Sequence, residues 1–371
     1  MPTASEYLAQ PPLFLILCLG PPNAGKSDLA MTFPACYVGS FDPGGFQILK
    51  NKSDRAQRLA KNLRYIENFN PRGDAEMKRL YARTKPALKP GEIKPGHPQH
   101  YVPMDSSDRS DNLMGWLAHI EELCMADIEA GATSDLERLT KTGGTVRPER
   151  TIQTVILDGF NYLVDQHEVL CRNDSKNMVQ KTYGGETRTV LDGRAAYMDL
   201  KNYLSQFMWS ELLALCVRYG LNLIVTCHIL RLTEEAIEGS EAVVGSDGKV
   251  IRAASPGKVQ QNSEIAAQIT GKFKEAIEGK FANVLICEHA LTGKVTPATP
   301  RKKNVFRVYC DKAETETLGE VNAKNKHGLE PMIDVTDKSF YEILLSRMGG
   351  LPLQQESKAA SVSAKVGVKT R

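Results

Sequence analysis

Short, unbroken apolar runs recur along the chain, each closed by a polar or glycine-rich turn. Leu13 to Leu19 is the longest, set between Pro11-Pro12 and Gly20-Pro21-Pro22. Its length and its flanks predict a strand buried on both faces. Cys36 to Phe41 is a second run, ending at Asp42-Pro43-Gly44-Gly45. Thr154 to Leu157 is a third, ending at Asp158, and Leu221 to Cys227 is a fourth, closed by His228. Between them the spacing turns helical. Ser27 to Phe33 reads as a helix start stopped by Pro34, and Phe46 to Asn62 as an amphipathic helix. Leu113 to Ile128 has its apolar positions at Met114, Leu117, Ile120, Leu123 and Cys124, and Tyr197 to Tyr219 is a long helix with Gly220 as its C-cap. Strands buried on both faces that alternate with helices predict an α/β fold, a mainly parallel sheet flanked by helices.

Other stretches break this rhythm. Pro86, Pro90, Pro95, Pro98 and Pro103, interleaved with Lys85, Lys89 and Lys94, mark 83–103 as an exposed insertion within 83–150. After His228 comes a polar stretch, 229–263. In it Gly245-Ser246-Asp247-Gly248 sits between Ala242-Val243-Val244 and Val250-Ile251, which predicts a hairpin. Asn283 to Ile286 and Val305 to Cys310 read as two further strands. The tail, 351–371, is Ser-, Ala- and Lys-rich and reads as a disordered basic extension to one domain spanning 1–350.

Composition narrows the classes. With 42% hydrophobic and 25% charged residues in 371, the chain is globular rather than disordered. Its longest apolar run is too short for a membrane helix, which needs about 20 residues, and Met1 to Gln10 lacks the basic start of a targeting peptide. Both features predict a cytoplasmic protein without a membrane partner. The net charge of +3 does not by itself imply nucleic-acid binding, so any such surface must be local. None of the eight cysteines forms a C-x-x-C pair and most lie in apolar runs, as expected of reduced, buried thiols.

One motif carries chemistry. Gly20-Pro21-Pro22-Asn23-Ala24-Gly25-Lys26-Ser27 satisfies G-x-x-x-x-G-K-[ST], with a buried strand before it and a helix after it. Its backbone N–H groups would cradle the phosphates of a nucleoside triphosphate, Lys26 would reach the β- and γ-phosphates, and Ser27 would ligate Mg²⁺. Asp158, at the end of a buried strand, is the matching acid for Mg²⁺. Asp42 falls at the same carboxyl edge and could orient an attacking water, or else be a turn residue. His228 could sense the γ-phosphate, or else be a core histidine.

Taken together, GPPNAGKS, the Asp42 strand end, TVILDGFNYL, a long helix and LNLIVTCHI resemble the RecA/KaiC-type P-loop ATPases. The stretches ITGKFKEAIEGKFANVLICE and VNAKNKHGLEPMIDV are more similar to the phage-encoded RecA-like ATPases of recombination and single-strand annealing. The resemblance implies a RecA-like core that binds and hydrolyses ATP with Mg²⁺ and assembles into rings or filaments. It also implies binding to single-stranded DNA in the host cytoplasm, with a single-strand DNA-binding protein as a further partner. By position it makes Lys26, Ser27, Asp158 and His228 the phosphate, Mg²⁺, Walker B and sensor residues. It makes Lys324 and Lys326 a trans-acting element, with Lys326 where the family has Arg. The family's usual Glu after the second strand is here Asp42.

In RecA-like proteins DNA contacts come from loops that correspond to 171–194 and 229–263. The first holds Arg172, Lys176, Lys181, Arg188 and Arg194 against three acids, with Tyr183 beside Gly184-Gly185, a minimal pattern for stacking plus phosphate contact. The most basic run, Lys294 to Lys312, has six cations and one acid. Two other functions share the phosphate loop: a small-molecule or nucleoside kinase, and a nucleotide-binding regulatory module without DNA-stimulated turnover.

Overall fold

The computed structural model describes residues 13–42, 57, 60–69, 109–134, 147–183, 186–232, 243–244, 250–252, 264–269, 273–292, 303–315, 318–336 and 338–347. Most of the expected 46–62 helix, the 83–103 insertion, most of 233–263 and the 351–371 tail lie outside these residues.

The elements in chain order begin with β1 (Leu15–Gly20), α1 (Lys26–Ala30), β2 (Cys36–Ser40), β3 (Leu63–Asn68), α2 (Arg109–Glu129), β4 (Thr154–Asp158) and α3 (Phe160–Asn173). Next come β5 (Met178–Tyr183), β6 (Glu186–Leu191), α4 (Gly193–Ser205), α5 (Ala214–Tyr219), β7 (Asn222–Leu232), β8 (Val243–Val244), β9 (Val250–Arg252) and β10 (Glu264–Ala267). The chain continues through α6 (Phe273–Lys280), β11 (Asn283–Thr292), β12 (Lys303–Tyr309), β13 (Ala313–Thr315), β14 (Gly319–Val321), β15 (Met332–Asp334) and α7 (Phe340–Arg347).

Nine of these strands form one sheet in the order β15-β12-β11-β1-β7-β4-β2-β3, with β10 paired to β7. The pairs from β11 across to β3 are all parallel, and β12, β15 and β10 add antiparallel edges. The fold is therefore a mainly parallel α/β sheet with flanking helices. Among the described residues no helix is long and apolar enough to cross a membrane.

Strand alternation divides the core into two layers. Leu17 and Leu19 of β1 face a layer that holds Trp116, Ile120 and Leu123 of α2, Leu163 of α3 and Leu204 of α4. Ile16 and Cys18 face the other way, against Leu29 of α1 and Phe340 and Leu344 of α7. The helical spacing around Leu113 to Cys124 thus marks a helix of the core, although it follows the proline-rich stretch. The long helix expected over 197–219 is continuous from Gly193, but Gln206–Leu213 at its centre is wound as a π-helix.

Two observed strands run past their expected ends. β7 continues from His228 to Leu232 because β10 pairs antiparallel with that extension, Ala267 opposite Ile229 and Glu264 opposite Leu232. β11 continues to Thr292 and pairs with β12 along its length. Both extensions stand beyond the carboxyl end of β1. The hairpin expected around Gly245–Gly248 has its arms in β8 and β9. Seven of the eight cysteines are buried, and Cys171 is half-buried.

Candidate functional site

The Gly20–Ser27 loop leaves the carboxyl end of β1 and enters α1. Gly25 takes φ 82°, a left-handed conformation, and a Cβ there would lie 2.8 Å from Phe306 Cδ1 of β12, so glycine is required twice over. Pro22 and Asn23 are exposed at the loop tip and Ala24 is buried beneath it. The Lys26 side chain is 7% exposed. Its Nζ donates to Gly20 O at 2.9 Å and Pro21 O at 2.8 Å, which folds the ammonium back across the loop mouth. Burial lowers its pKa, opposed by the field of Cys287 and Asp158. The amine is thus held where an anionic ligand would strengthen its charged form.

Ser27 Oγ donates to Asp158 Oδ1 at 2.8 Å. β1 and β4 are not neighbours; β7 lies between them, and its Thr226 Oγ1 donates to the same oxygen at 2.7 Å. Gly159 N in turn donates to Thr226 Oγ1 at 2.9 Å. Asp158 is 1% exposed, and its second oxygen, Oδ2, has no hydrogen-bond partner among the described residues. Burial raises its pKa, opposed by the hydrogen bonds from Thr226 and Ser27. A buried, half-satisfied carboxylate beside a serine hydroxyl suits a hydrated divalent cation that takes its remaining ligands from phosphate and water. Among the described residues there is no cluster of three or more His, Cys, Asp or Glu side chains that could hold a metal.

The other expected residues converge on the same edge. His228 is the direct register partner of Gly20 across β1 and β7. Its backbone N–H donates to Asn161 Oδ1 at 3.2 Å, and its ring lies edge-on to Tyr162 at 5.5 Å between centroids. Burial lowers its pKa, and Lys26 lowers it further, while Asp42 opposes both. Asp42 follows β2 by two residues and is half-buried. It packs against Gly159, whose φ is 81° and whose added Cβ would lie 2.9 Å from Asp42 N. Two buried glutamates are engaged inside the fold, Glu67 with Tyr37 at 2.9 Å and Glu288 with Tyr309 at 2.8 Å.

Three residues of the site were missed by sequence reasoning: Thr226, Asn161 and Tyr162. Thr226 had a signal, as the one hydroxyl in the run LNLIVTC, two residues before His228. Asn161 and Tyr162 follow Asp158-Gly159 and had none beyond that proximity.

The remaining candidates lie elsewhere. The 171–194 segment is mostly a two-stranded hairpin, β5 with β6, rather than a loop. The hairpin begins past the end of α3, whose 14 residues carry the chain roughly 20 Å from Asp158. Arg172 pairs with Glu168, Lys176 with Asp174 and Asp199, and Arg188 with Glu186, all at the surface. Lys181 stands directly opposite Arg188 in the hairpin register. Tyr183 ends β5. Lys324 Nζ donates to Phe281 O at 2.8 Å beyond the C-terminus of α6, so its ammonium is used within the chain. Lys326 is exposed, and its backbone N–H is held by Asn283 Oδ1 at 3.1 Å, at the edge of the sheet opposite the loop.

No protein-family model matches the chain, and no curated protein matches it significantly.

Proposed function

We propose that the protein is a RecA-like P-loop ATPase that binds Mg²⁺ and ATP and acts on single-stranded DNA in recombination or annealing. The observation that carries this reading is the Ser27–Asp158–Thr226 tie, which brings a hydroxyl and a buried carboxylate to the mouth of a G-x-x-x-x-G-K-S loop. That pairing of groups is what Mg²⁺-dependent phosphoryl transfer requires. Ser27 and Asp158 would hold Mg²⁺, which when bound would supply charge neutralisation for phosphoryl transfer. Lys26 would exchange its two carbonyl partners for β- and γ-phosphate oxygens. The loop amides would hold the β-phosphate. Asp42 would orient a water for in-line attack on the γ-phosphate, and His228, beside Gly20, would register the loss of that group.

Two observations bear on DNA. The first is Lys181 opposite Arg188. Both cations stand on an exposed hairpin, but Arg188 is also paired with Glu186, so a phosphodiester laid along it would have to displace that carboxylate. The second is the β7 extension, which leads from His228 directly into the 233–263 segment. Assembly into a ring or filament belongs to the same reading, with Lys326 as the exposed cation left to serve it.

The test is ATP hydrolysis with and without single-stranded DNA at low and moderate salt, with Lys26→Ala as control. DNA stimulation that fades with salt supports the reading. Turnover indifferent to DNA removes the nucleic-acid part. Transfer of phosphate to an added small-molecule acceptor would make the protein a kinase.

A further inference from the structure

The Ser27–Asp158–Thr226 tie and His228 all stand on the β7 and β4 flank of the loop. A nucleoside triphosphate whose γ-phosphate faces that flank must leave the loop on the other side, toward β11 and β12. There β1 has ended at Gly20, while β11 runs on to Thr292 with β12 paired alongside it. The extension carries His289 opposite Phe306, their rings nearly parallel at 17° with centroids 4.9 Å apart. Alternation puts both rings on the face of Cys287 and Val308, the face that α1 covers. Phe306 lies against Gly25, as the 2.8 Å approach to an added Cβ shows. The stack is thus rooted in the phosphate loop. His289 Nε2 lies 3.0 Å from Asn304 Oδ1, which fixes the ring's orientation. Neither ring is fully buried.

We propose that the His289–Phe306 stack is the platform for the base of the bound nucleotide. His289 stacks on the base, and Phe306 is a positioning residue that holds His289 and the loop in one register. Stacking reads the π-face rather than the hydrogen-bonding edge, so the platform favours purines without separating adenine from guanine sharply. The inference rests on the nucleotide reading above but is separable from it, because the loop alone suffices for the phosphates.

The test is isothermal titration of the intact protein with Mg²⁺-ATP and with Mg²⁺-tripolyphosphate, which has the phosphates and no base. Wild type is expected to bind ATP roughly tenfold tighter than tripolyphosphate, the contribution of about one stacked base. His289→Ala should remove most of that difference and leave tripolyphosphate affinity unchanged, and His289→Phe should restore it. Asn304→Ala, at an exposed position of β12, removes only the side-chain partner of His289 and should give an intermediate loss. An unchanged ATP-to-tripolyphosphate ratio in His289→Ala overturns the platform, as does an equal weakening of both ligands, which would make the stack only a buttress for the loop. Equal wild-type affinity for both ligands overturns the platform and leaves the phosphate loop standing. Binding of neither ligand overturns both readings.

Discussion

Asp158 Oδ1 accepts from Ser27 Oγ at 2.8 Å and from Thr226 Oγ1 at 2.7 Å, while its buried Oδ2 has no hydrogen-bond partner among the described residues. The carboxylate is therefore a local cost to the folded chain. Its raised pKa means that the folded state binds its proton more tightly than the unfolded state does. The penalty accordingly appears as pH rises above the unfolded value of 3.8 and persists at neutrality. Asp158→Asn keeps an acceptor for both hydroxyls and removes the charge. At neutral pH it should raise stability by on the order of 1 kcal/mol, read by thermal denaturation, and abolish Mg²⁺-dependent turnover.

Lys26 has the opposite balance. Its ammonium spans two carbonyls of its own loop, contacts that ligand oxygens can replace. Lys26→Ala should leave stability within about 1 kcal/mol of wild type and weaken triphosphate binding or turnover by about a hundredfold or more. Retained hydrolysis in that variant would sink the phosphate-loop assignment.

Gly159 sets the position of Asp42. At φ 81°, with Asp42 N 2.9 Å from an added Cβ, Gly159→Ala must both strain the backbone and push Asp42 away. The expected cost is about 1–2 kcal/mol from the left-handed conformation. If Asp42 orients water, turnover should fall about tenfold while ATP affinity, measured by titration, holds. Loss of both together would make Asp42 a structural turn residue.

His228 gives the site a pH dependence. Its folded pKa is depressed, chiefly by burial, so the unfolded chain binds the proton more readily. Stability should therefore fall as pH drops through about 6.5, the unfolded value, toward the lower folded value. His228→Asn should flatten this limb in melting curves recorded between about pH 5 and 8. Identical slopes would show that His228 does not titrate in that window.

The central strands were legible because each is buried on both faces, and an unbroken apolar run flanked by Gly, Pro or Asp can form little else. That is why β1, β2, β4 and β7 came out in place, with the loop and Asp158 at their carboxyl edge. What failed to show locally was pairing over distance. His228 looks like a strand end until β10, more than thirty residues further on, supplies the partner that lets β7 continue to Leu232. β3, α6, α7 and the β13–β14 hairpin are short and mixed in polarity, and tertiary contacts rather than period fix them. The basic residues of 171–194 were legible as charge. Their pairs with Glu168, Asp174 and Glu186 are local along the chain, whereas the Lys176–Asp199 pair depends on how this segment and α4 fold together.

The buried thiols have a consequence of their own. Cys18, Cys36, Cys227 and Cys287 lie on four strands of the one sheet, and Cys310 follows a fifth. Burial pushes Cys227 and Cys310 up to about 12 and Cys36 higher still, so the thiolate that reacts with an alkylating reagent scarcely exists in the native sheet. Half-buried Cys171 should react first, and the sheet thiols only when the strands separate. Alkylation therefore acts as a clock for sheet opening, and whatever ligand seats in the loop should slow it on all five cysteines together.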